Sequence, residues 1–302
     1  MTERIKINLY DSLMAPHCFR DNLWSLTGAA HIPEFVEWVY LGGIQDCAIS
    51  PARLPNEDET ADITVFTEKD ITSPFVGEVK SKYKIAFLNE CRSIHPFAYQ
   101  WITGIEDKFD YIFTHDAQLL ERGGKYVKNI LGTTWINNDS AKIFEKEKLV
   151  SHIVSTKRWA RGHNLRHVVA EAIIRGNYNV DLWGSAYKEF ESKLEPLKDY
   201  CFSITIMNAS HKNYFTETLV DTFRCGTVPI FWGCENIEDF FNEKGILRFT
   251  TGPELMEILG DLSVDRYKEM LPYVKENFEL AKNYLNVDDS LAKNIVNKLE
   301  SK

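Results

Sequence analysis

Short apolar runs that alternate with helically periodic segments constrain the fold of this chain more than any other feature. From about residue 149 onward these segments are LVSHIVST, NLRHVVAEAIIRG, NVDLWG, YCFSITIMN, FTETLVDTFRCG and TVPIFWG. The second and fifth have the period of a helix, whereas the other four are rich in β-branched and aromatic residues and predict strands. This alternation predicts a parallel sheet in an α/β domain.

The first half of the chain shows a similar but less regular alternation. RIKINLYDS, DITVFTEKD, YKIAFLNE and DYIFTHD predict strands, and HPFAYQWITGIEDKF predicts a helix between the last two. The polar, charged segment NNDSAKIFEKEKLV then indicates a domain boundary near residues 136–148. We therefore expect an N-terminal α/β domain over 1–145, a C-terminal α/β domain over 146–280 and a helical tail over 281–302.

Composition and charge exclude several classes of function. The chain is 44% hydrophobic and 26% charged, as globular proteins are, and its net charge of -9 gives no global attraction to nucleic acid or anionic lipid. No apolar run approaches the ~20 residues that span a bilayer, and the start lacks a signal-peptide pattern, so we expect a soluble, cytoplasmic protein. Six cysteines without CxxC pairs or histidines at metal spacing favour buried reduced thiols.

Familiar ligand motifs are absent from the chain. It contains neither the GxGxxG dinucleotide fingerprint nor the GxxxxGK[ST] phosphate loop, and no DxD pair at a strand end argues for a metal. Two α/β domains would nevertheless place a ligand cleft between the carboxyl ends of their strands. The candidate residues are therefore sought where strands end.

A basic cluster in STKRWARGHNLRH lies where a predicted strand gives way to a predicted helix. It contains Lys157, Arg158, Arg161, His163 and Arg166. Helix N-termini and arginine forks both bind phosphate oxygens, so the cluster predicts a local anion site in an otherwise acidic protein. A solvated basic turn is the alternative interpretation.

Carboxylates lie at two other predicted element ends. Thr216 and Glu217 begin the helix after FSITIMN, where Glu217 could cap the helix or accept hydrogen bonds from the hydroxyls of a ribose. Glu90 ends the strand in KIAFLNE, where it could act as a general base or pair with Arg92. His95 and His115 also lie near strand ends, and either could be a core or capping histidine.

The segment DYCFSITIMNASHKNYFTETLVDTFRCGTVPIFWGCENIEDFF resembles the donor-binding segment of the α1,3/4-fucosyltransferases, glycosyltransferase family 10. That family's pattern is approximately F-x-[IL]-x-[FI]-E-N-[ST], Y-[VF]-T-E-K and G-T-[IV]-P-[IV]-[YF]-W-G. The match is strong over residues 199–241 and weaker at IVSTKRWARGHNLRHVVAEAI and FLNECRSIHP. The resemblance implies a GT-B fold with two Rossmann-like domains, an inverting mechanism, GDP-fucose as donor, a glycan acceptor and no obligatory metal or other cofactor.

The resemblance also implies roles for individual residues. Arg166 would bind the pyrophosphate, Glu217 the ribose, and Tyr214 and Asn208 would line the same pocket, while Glu90 would take the proton from the acceptor hydroxyl. Further candidates on the donor side are Thr216, Arg161, Arg158 and Lys157. Those on the acceptor side, which the resemblance assigns to the N-terminal domain, are Arg92, His95 and His115.

Two residues depart from the family's pattern. Thr218 stands where the pattern has lysine after T-E, and Met207 stands where it has glutamate before asparagine. Because that lysine supports the departing diphosphate, Arg166, Arg161, Arg158 or Lys157 would have to replace its charge. A transferase that uses another nucleotide-sugar, or a degenerate module that only binds a glycan or nucleotide, therefore remains an alternative.

Overall fold

The structure, a computed structural model, describes residues 4–14, 18–26, 32–44 and 49–301. The chain divides into two compact units, one formed by Met1–Leu131 with Asn286–Lys302 and the other by Gly132–Leu285. The sequence places its limits at residues 145 and 280 instead, so the two divisions differ by 14 residues at the first boundary and by five at the second.

Parallel strands form the sheet of the first unit. Its strands β1 to β8, numbered in chain order, are Ile5–Tyr10, Phe19–Arg20, Leu23–Trp24, Val36–Tyr40, Ile63–Thr67, Tyr83–Leu88, Tyr111–Thr114 and Tyr126–Lys128. Six of them make one sheet in the order β4-β1-β5-β6-β7-β8, and β2 pairs with β3 in a separate antiparallel hairpin. The unit's α-helices are α1 (Phe75–Glu78), α2 (Pro96–Ile105), α3 (Ala117–Leu120) and the last helix of the chain, α8 (Val287–Glu300).

Apolar side chains cover both faces of this sheet. On one face Ile7 and Val65 pack in a cluster with Leu291 of α8, and on the other Phe66 packs in a cluster with Ile102 of α2. Parallel strands covered on both faces have nearly continuous apolar sequences. That burial explains why DITVFTEKD shows little alternation between polar and apolar residues.

Two buried aspartates join the end of the chain to the first unit. Asp288 accepts hydrogen bonds from the Leu26 N–H at 2.6 Å and the Trp38 indole at 2.7 Å, and Asp289 accepts from the Phe35 N–H at 2.8 Å. With the apolar face of α8 buried as well, the segment that the sequence presents as a tail is part of the first unit's core. The NVDD stretch is therefore structural.

The second unit contains a five-stranded parallel sheet. Its strands β9 to β13 are Lys148–Ile153, Asp181–Trp183, Tyr200–Ile206, Val228–Trp232 and Leu247–Arg248, and its α-helices α4 to α7 are Arg161–Gly176, Glu217–Arg224, Gly252–Gly260 and Val264–Leu280. The sheet order is β10-β9-β11-β12-β13. Each strand and helix predicted between residues 149 and 232 is present, so the α/β class is confirmed.

No helix in the described ranges is long and apolar enough to cross a membrane. Five cysteines are free and buried, and the sixth, Cys47, lies outside the described residues.

Candidate functional site

Polar residues follow four neighbouring strands of the first sheet at the same edge. Asp11 follows β1, Glu68 follows β5, Glu90 comes two residues after β6, and His115 follows β7. Because these strands are parallel and in register, their carboxyl ends lie side by side. This edge, termed the acidic edge, carries the carboxylates Asp11, Glu68, Asp70, Glu90 and Asp116.

The backbone of Glu90 is held from two sides. Its N–H, with that of Asn89, donates to Glu68 Oε1 at 2.7 and 2.6 Å, and its carbonyl accepts from the Tyr99 hydroxyl on α2. The Glu90 side chain is half-buried. Residue 90 therefore stands at a fixed place on the acidic edge.

The three acceptor-side candidates have different surroundings. Arg92 pairs with Asp116 in two-point fashion at 2.6 and 2.8 Å, so the alternative pairing of Arg92 with Glu90 is not the one adopted. His115 is buried, with Nε2 3.4 Å from both the Glu90 carbonyl and the Tyr99 hydroxyl. His95 precedes α2, and burial lowers the pKa of its imidazole.

The other acids of this edge are held by backbone N–H groups. Asp11 accepts from the Leu13 N–H at 2.6 Å and from the Thr67 hydroxyl at 2.7 Å, and burial raises its pKa to about 6. Asp70 accepts from the Ser12 and Ile44 N–H groups at 2.7 and 2.9 Å. Burial thus disfavours the charge of Asp11, Glu68 and Asp70, whereas at Asp116 burial is outweighed by the pairing with Arg92, which lowers the pKa of that carboxyl group.

In the second unit, the start of α4 meets the end of β11. The Gly162 N–H donates to the Asn208 carbonyl at 2.9 Å, and a Cβ on Gly162 would lie 1.7 Å from the Met207 carbonyl oxygen. Only glycine permits this approach. It brings Arg166, one turn later, to Asn208, whose Oδ1 accepts from the guanidinium at 3.1 Å.

Arg166 is fixed by its surroundings. Its Nε donates to the Ile206 carbonyl at 2.9 Å. Burial lowers the pKa of the guanidinium, while Glu217 and Tyr214 act in the opposite direction. Glu217 and Tyr214 thus lie within electrostatic range of the Arg166 guanidinium, and Asn208 is hydrogen-bonded to it.

The residues around the start of α5 are buried or half-buried. Tyr214 is buried, and Thr216 is the N-cap residue, with its hydroxyl 3.8 Å from the Met207 sulfur. The Thr218 hydroxyl donates to Glu217 Oε1 at 3.1 Å, so position 218 contributes a hydrogen bond where the family's lysine would contribute a charge. The Met207 side chain packs so closely that a Cβ on Gly233 would be 2.3 Å from its Cγ.

The remaining basic residues are more exposed. The Arg161 guanidinium lies 5.3 Å from the centre of the Trp232 ring, at the end of β12. Because Ile206 and Trp232 are register partners, Arg161 stands at the same sheet edge as Arg166. The Lys157 ammonium lies over the exposed Trp159 ring at 5.4 Å, and Arg158 is exposed. This edge, termed the cationic edge, carries Arg161 and Arg166.

Sequence reasoning missed three residues that arrange these edges. Glu68 holds the backbone of Glu90, Trp232 contacts Arg161, and Gly162 lets α4 approach β11. Glu68 lies at the end of a predicted strand, as Glu90 does, so this position could have identified Glu68 as a candidate from the sequence. The contacts of Trp232 and Gly162 depend on strand pairing and helix docking, which local sequence does not reveal.

Acidic and sulfur-bearing side chains do not assemble into a metal site in the part of the chain that the structure describes. No group of three or more histidine, cysteine, aspartate or glutamate residues there could hold a metal ion.

Comparison with known proteins finds a family match over most of the second unit. Residues 143–290 match the model of the glycosyltransferase family 10 (fucosyltransferase) C-terminal domain. A putative fucosyltransferase-like protein of Arabidopsis thaliana is 32% identical over 80 residues, which cover 26% of this chain and 16% of the relative. The chain therefore matches about a sixth of that relative's length.

Solved structures extend the likeness to both units at the level of fold. An α1,3-fucosyltransferase with GDP has 13% identity and a TM-score of 0.55, over 94% of this chain and 89% of that one. The same enzyme type with GDP-fucose has 14% identity and a TM-score of 0.53, over 93% and 90%. TarM has 14% identity and a TM-score of 0.54, over 78% and 55%. The fold predicted from the sequence, of GT-B type with two Rossmann-like domains, is confirmed.

Proposed function

Because residues 143–290 match the model of the glycosyltransferase family 10 C-terminal domain, we propose that this chain is an inverting fucosyltransferase that transfers fucose from GDP-fucose to a hydroxyl of a glycan. The observation that carries the proposal is that Arg166 of α4 is hydrogen-bonded to Asn208, after β11, and interacts electrostatically with Glu217, the first residue of α5. Cations and helix N-termini bind phosphate, and a carboxylate beside them suits a ribose. The expected cytoplasmic location and lack of a metal requirement remain predictions.

On the donor side, the cationic edge would bind the guanosine diphosphate. Arg166 is already fixed by hydrogen bonds, so it can neutralise the departing diphosphate without reorganising. Glu217 would accept from the two ribose hydroxyls, while Tyr214, Asn208 and Thr216 line the pocket. Arg161, and more distantly Arg158 and Lys157, would supplement the positive charge.

On the acceptor side, Glu90 would be the general base. As the acceptor oxygen forms its bond to the anomeric carbon, the bond from that carbon to the diphosphate breaks and the hydroxyl proton passes to the Glu90 carboxylate. A half-buried carboxylate whose backbone is held on both sides suits this role. Arg92, His95 and His115 would surround the acceptor.

A different nucleotide-sugar donor is the second candidate. It is favoured by Thr218, which donates to Glu217, and by Met207, which packs against Gly233 instead of offering a carboxylate. Both departures lie beside the residues that would hold the diphosphate and ribose. The donor is therefore the part of the proposal most in need of a test.

A thermal-shift panel of GDP, UDP, CDP and their sugars tests the donor. A ligand at a hundred times its Kd stabilises the folded state by about 2.7 kcal/mol, which raises Tm by several degrees. We expect GDP and GDP-fucose to raise Tm and UDP and CDP not to. GDP release from GDP-fucose with N-acetyllactosamine as acceptor probe then tests catalysis. Binding without release would indicate a degenerate binding module, and a response to UDP alone would overturn the donor.

A further inference from the structure

Glu68 has a buried carboxyl group that is hydrogen-bonded to the backbone of another strand's turn. It is 3% exposed, and its Oε1 accepts hydrogen bonds from two successive backbone N–H groups, those of Asn89 at 2.6 Å and Glu90 at 2.7 Å. These bonds join the end of β5 to the turn that follows β6. Its Oε2 has no hydrogen-bond partner among the described residues. The carboxyl group is thus directed at the backbone of residues 89 and 90.

The backbone of Glu68 adopts a conformation that does not favour glutamate. Its φ of 45° lies in the left-handed region, which costs free energy for a residue with a Cβ and suits glycine. Burial also raises the pKa of its carboxyl group well above the ordinary range. A glycine would remove both costs, so the side chain itself accounts for the presence of glutamate at this position.

We propose that Glu68 is a positioning residue that fixes where the Glu90 carboxylate stands. The inference rests on the proposed function, in which Glu90 is the general base. The Tyr99 hydroxyl holds the carbonyl of residue 90 and Glu68 holds its N–H, so the direction of the Cα–Cβ bond at Glu90 is set from both sides. A small misplacement of a catalytic group can cost about a hundredfold in rate.

Three variants separate positioning from stability. Glu68→Gly suits the left-handed backbone but leaves the two N–H groups without their acceptor, whereas Glu68→Gln keeps an acceptor oxygen. Asp289→Ala is the matched control, because Asp289 is buried in the same unit, lies outside the acidic edge and also accepts from successive backbone N–H groups, those of Glu34 at 2.9 Å and Phe35 at 2.8 Å among them. Of these two carboxyl groups, Glu68 is the one that bonds to the backbone of residue 90.

Turnover and hydrogen exchange give independent readouts. We expect Glu68→Gly to lower kcat about ten- to a hundredfold with KM for GDP-fucose unchanged, and to speed exchange of the Asn89 and Glu90 amides. Glu68→Gln should stay within about threefold in kcat, and Asp289→Ala should leave kcat and these two amides unchanged. Assays use GDP release with N-acetyllactosamine.

The outcomes distinguish this inference from the proposed function. Normal exchange and normal kcat in Glu68→Gly would overturn the positioning role while leaving the transferase intact. An equal loss of kcat in Asp289→Ala would show that Glu68 acts only through general stability, and would overturn the positioning role too. If Glu68→Gly does not fold, a more than tenfold loss of kcat in Glu68→Gln would contradict the proposal. A wild-type protein that neither binds GDP nor releases it from GDP-fucose would instead overturn the function itself.

Discussion

The carboxyl-terminal edges of the two sheets are built alike and hold opposite chemistry. In the first unit, Asp11, Glu68 and Glu90 follow adjacent parallel strands and make an acidic edge. In the second, Arg161 and Arg166 meet the ends of β11 and β12 from the start of α4 and make a cationic edge. The same backbone architecture thus provides the place in both units, whereas the side chains determine what each edge can do.

The two edges also differ in how their charged groups are held. The acids Glu68 and Asp11 are buried, which raises their pKa although the backbone N–H groups that donate to them act in the opposite direction. The cation Arg166 donates to carbonyl oxygens and interacts electrostatically with Glu217. Buried carboxyl groups suit proton transfer and fixed cations suit a diphosphate, so different variants test the two edges.

The largest expected effect is on the acidic edge, at Glu90. Glu90→Gln keeps the shape of the side chain but cannot take a proton, so turnover should fall by ~10²–10⁴-fold with Tm and GDP affinity unchanged. GDP release from GDP-fucose with N-acetyllactosamine measures the loss. Glu121→Gln, an exposed glutamate after α3, is the control. Turnover within a few-fold of wild type would contradict the assignment and direct attention to His95 and His115.

A second prediction concerns the free energy of unfolding that is lost when the buried Asp11 carboxyl group ionises. Because the pKa of Asp11 rises to about 6 on folding, the folded state retains a proton that the unfolded state loses between about pH 4 and pH 6. The Asp11 contribution to the free energy of unfolding is therefore full below that window and lost as pH rises through it, by up to about 3 kcal/mol.

Asp11→Asn should remove this dependence. Relative to wild type, the variant should gain unfolding free energy between pH 4.5 and pH 7.5, because it has no buried carboxylate to ionise. Urea denaturation at both pH values measures the difference. The control is Asp58→Asn, at an exposed aspartate of the same unit. If the free energy of unfolding depends on pH identically in wild type and Asp11→Asn, the pH dependence does not come from the Asp11 carboxyl group.

On the cationic edge, Arg166→Ala tests the diphosphate site. Loss of a charge-assisted contact of ~1.5–3 kcal/mol should weaken GDP binding roughly ten- to a hundredfold. Calorimetry with GDP measures the effect, and Arg175→Ala, an exposed arginine in the last turn of the same helix, is the control. Unchanged GDP affinity in Arg166→Ala would disprove the pyrophosphate assignment.

Most elements of both sheets could be predicted because buried parallel strands have continuous apolar sequences. YCFSITIMN and TVPIFWG gave β11 and β12, and RIKINLYDS gave β1. Three strands of these sheets were missed. The three-residue strand β8 and the two-residue strand β13 are too short for a period to show, whereas β4 alternates buried and half-buried residues over VEWVY and carried a detectable signal. The membership of α8 in the first unit was hidden as well, because it depends on side-chain bonds from Asp288 to residues more than 200 positions away.

The sequence allows a candidate residue to be proposed where a polar side chain stands near the end of a predicted strand or helix, and the roles given to these residues remain predictions. Arg166, Glu217 and Glu90 each have such a position, and the structure places the first two near one another. The supporting residues were not predictable, since Glu68 acts through two backbone N–H groups on the neighbouring strand's turn. A contact of that kind depends on the strand register, which comes from the folded sheet.

The smallest expected effect is at Thr218, and it tests whether the cationic edge binds the diphosphate of GDP-fucose. Thr218 lies at the start of α5, half-buried, with its hydroxyl on Glu217. If GDP-fucose is the donor, Thr218→Lys adds a cation for the diphosphate and should tighten GDP binding up to about tenfold, equivalent to ~1.4 kcal/mol. A cation near a helix N-terminus costs about 0.3–1 kcal/mol, so Tm should fall slightly. Calorimetry with GDP and with guanosine separates the diphosphate from the base.

Thr218→Met is the matched control, because it adds a long side chain without charge. The tightening should appear for GDP in Thr218→Lys and be absent for guanosine and in Thr218→Met, since only a cation interacts with the diphosphate. Adding Arg161→Ala should then cost less GDP affinity in the Thr218→Lys background than in wild type, because each cation partly replaces the other. A Thr218→Lys variant that binds GDP more weakly would indicate a pocket rebuilt around Thr218 and Met207 for a different donor, and the cationic edge would keep its role in phosphate binding while losing its assignment to GDP-fucose.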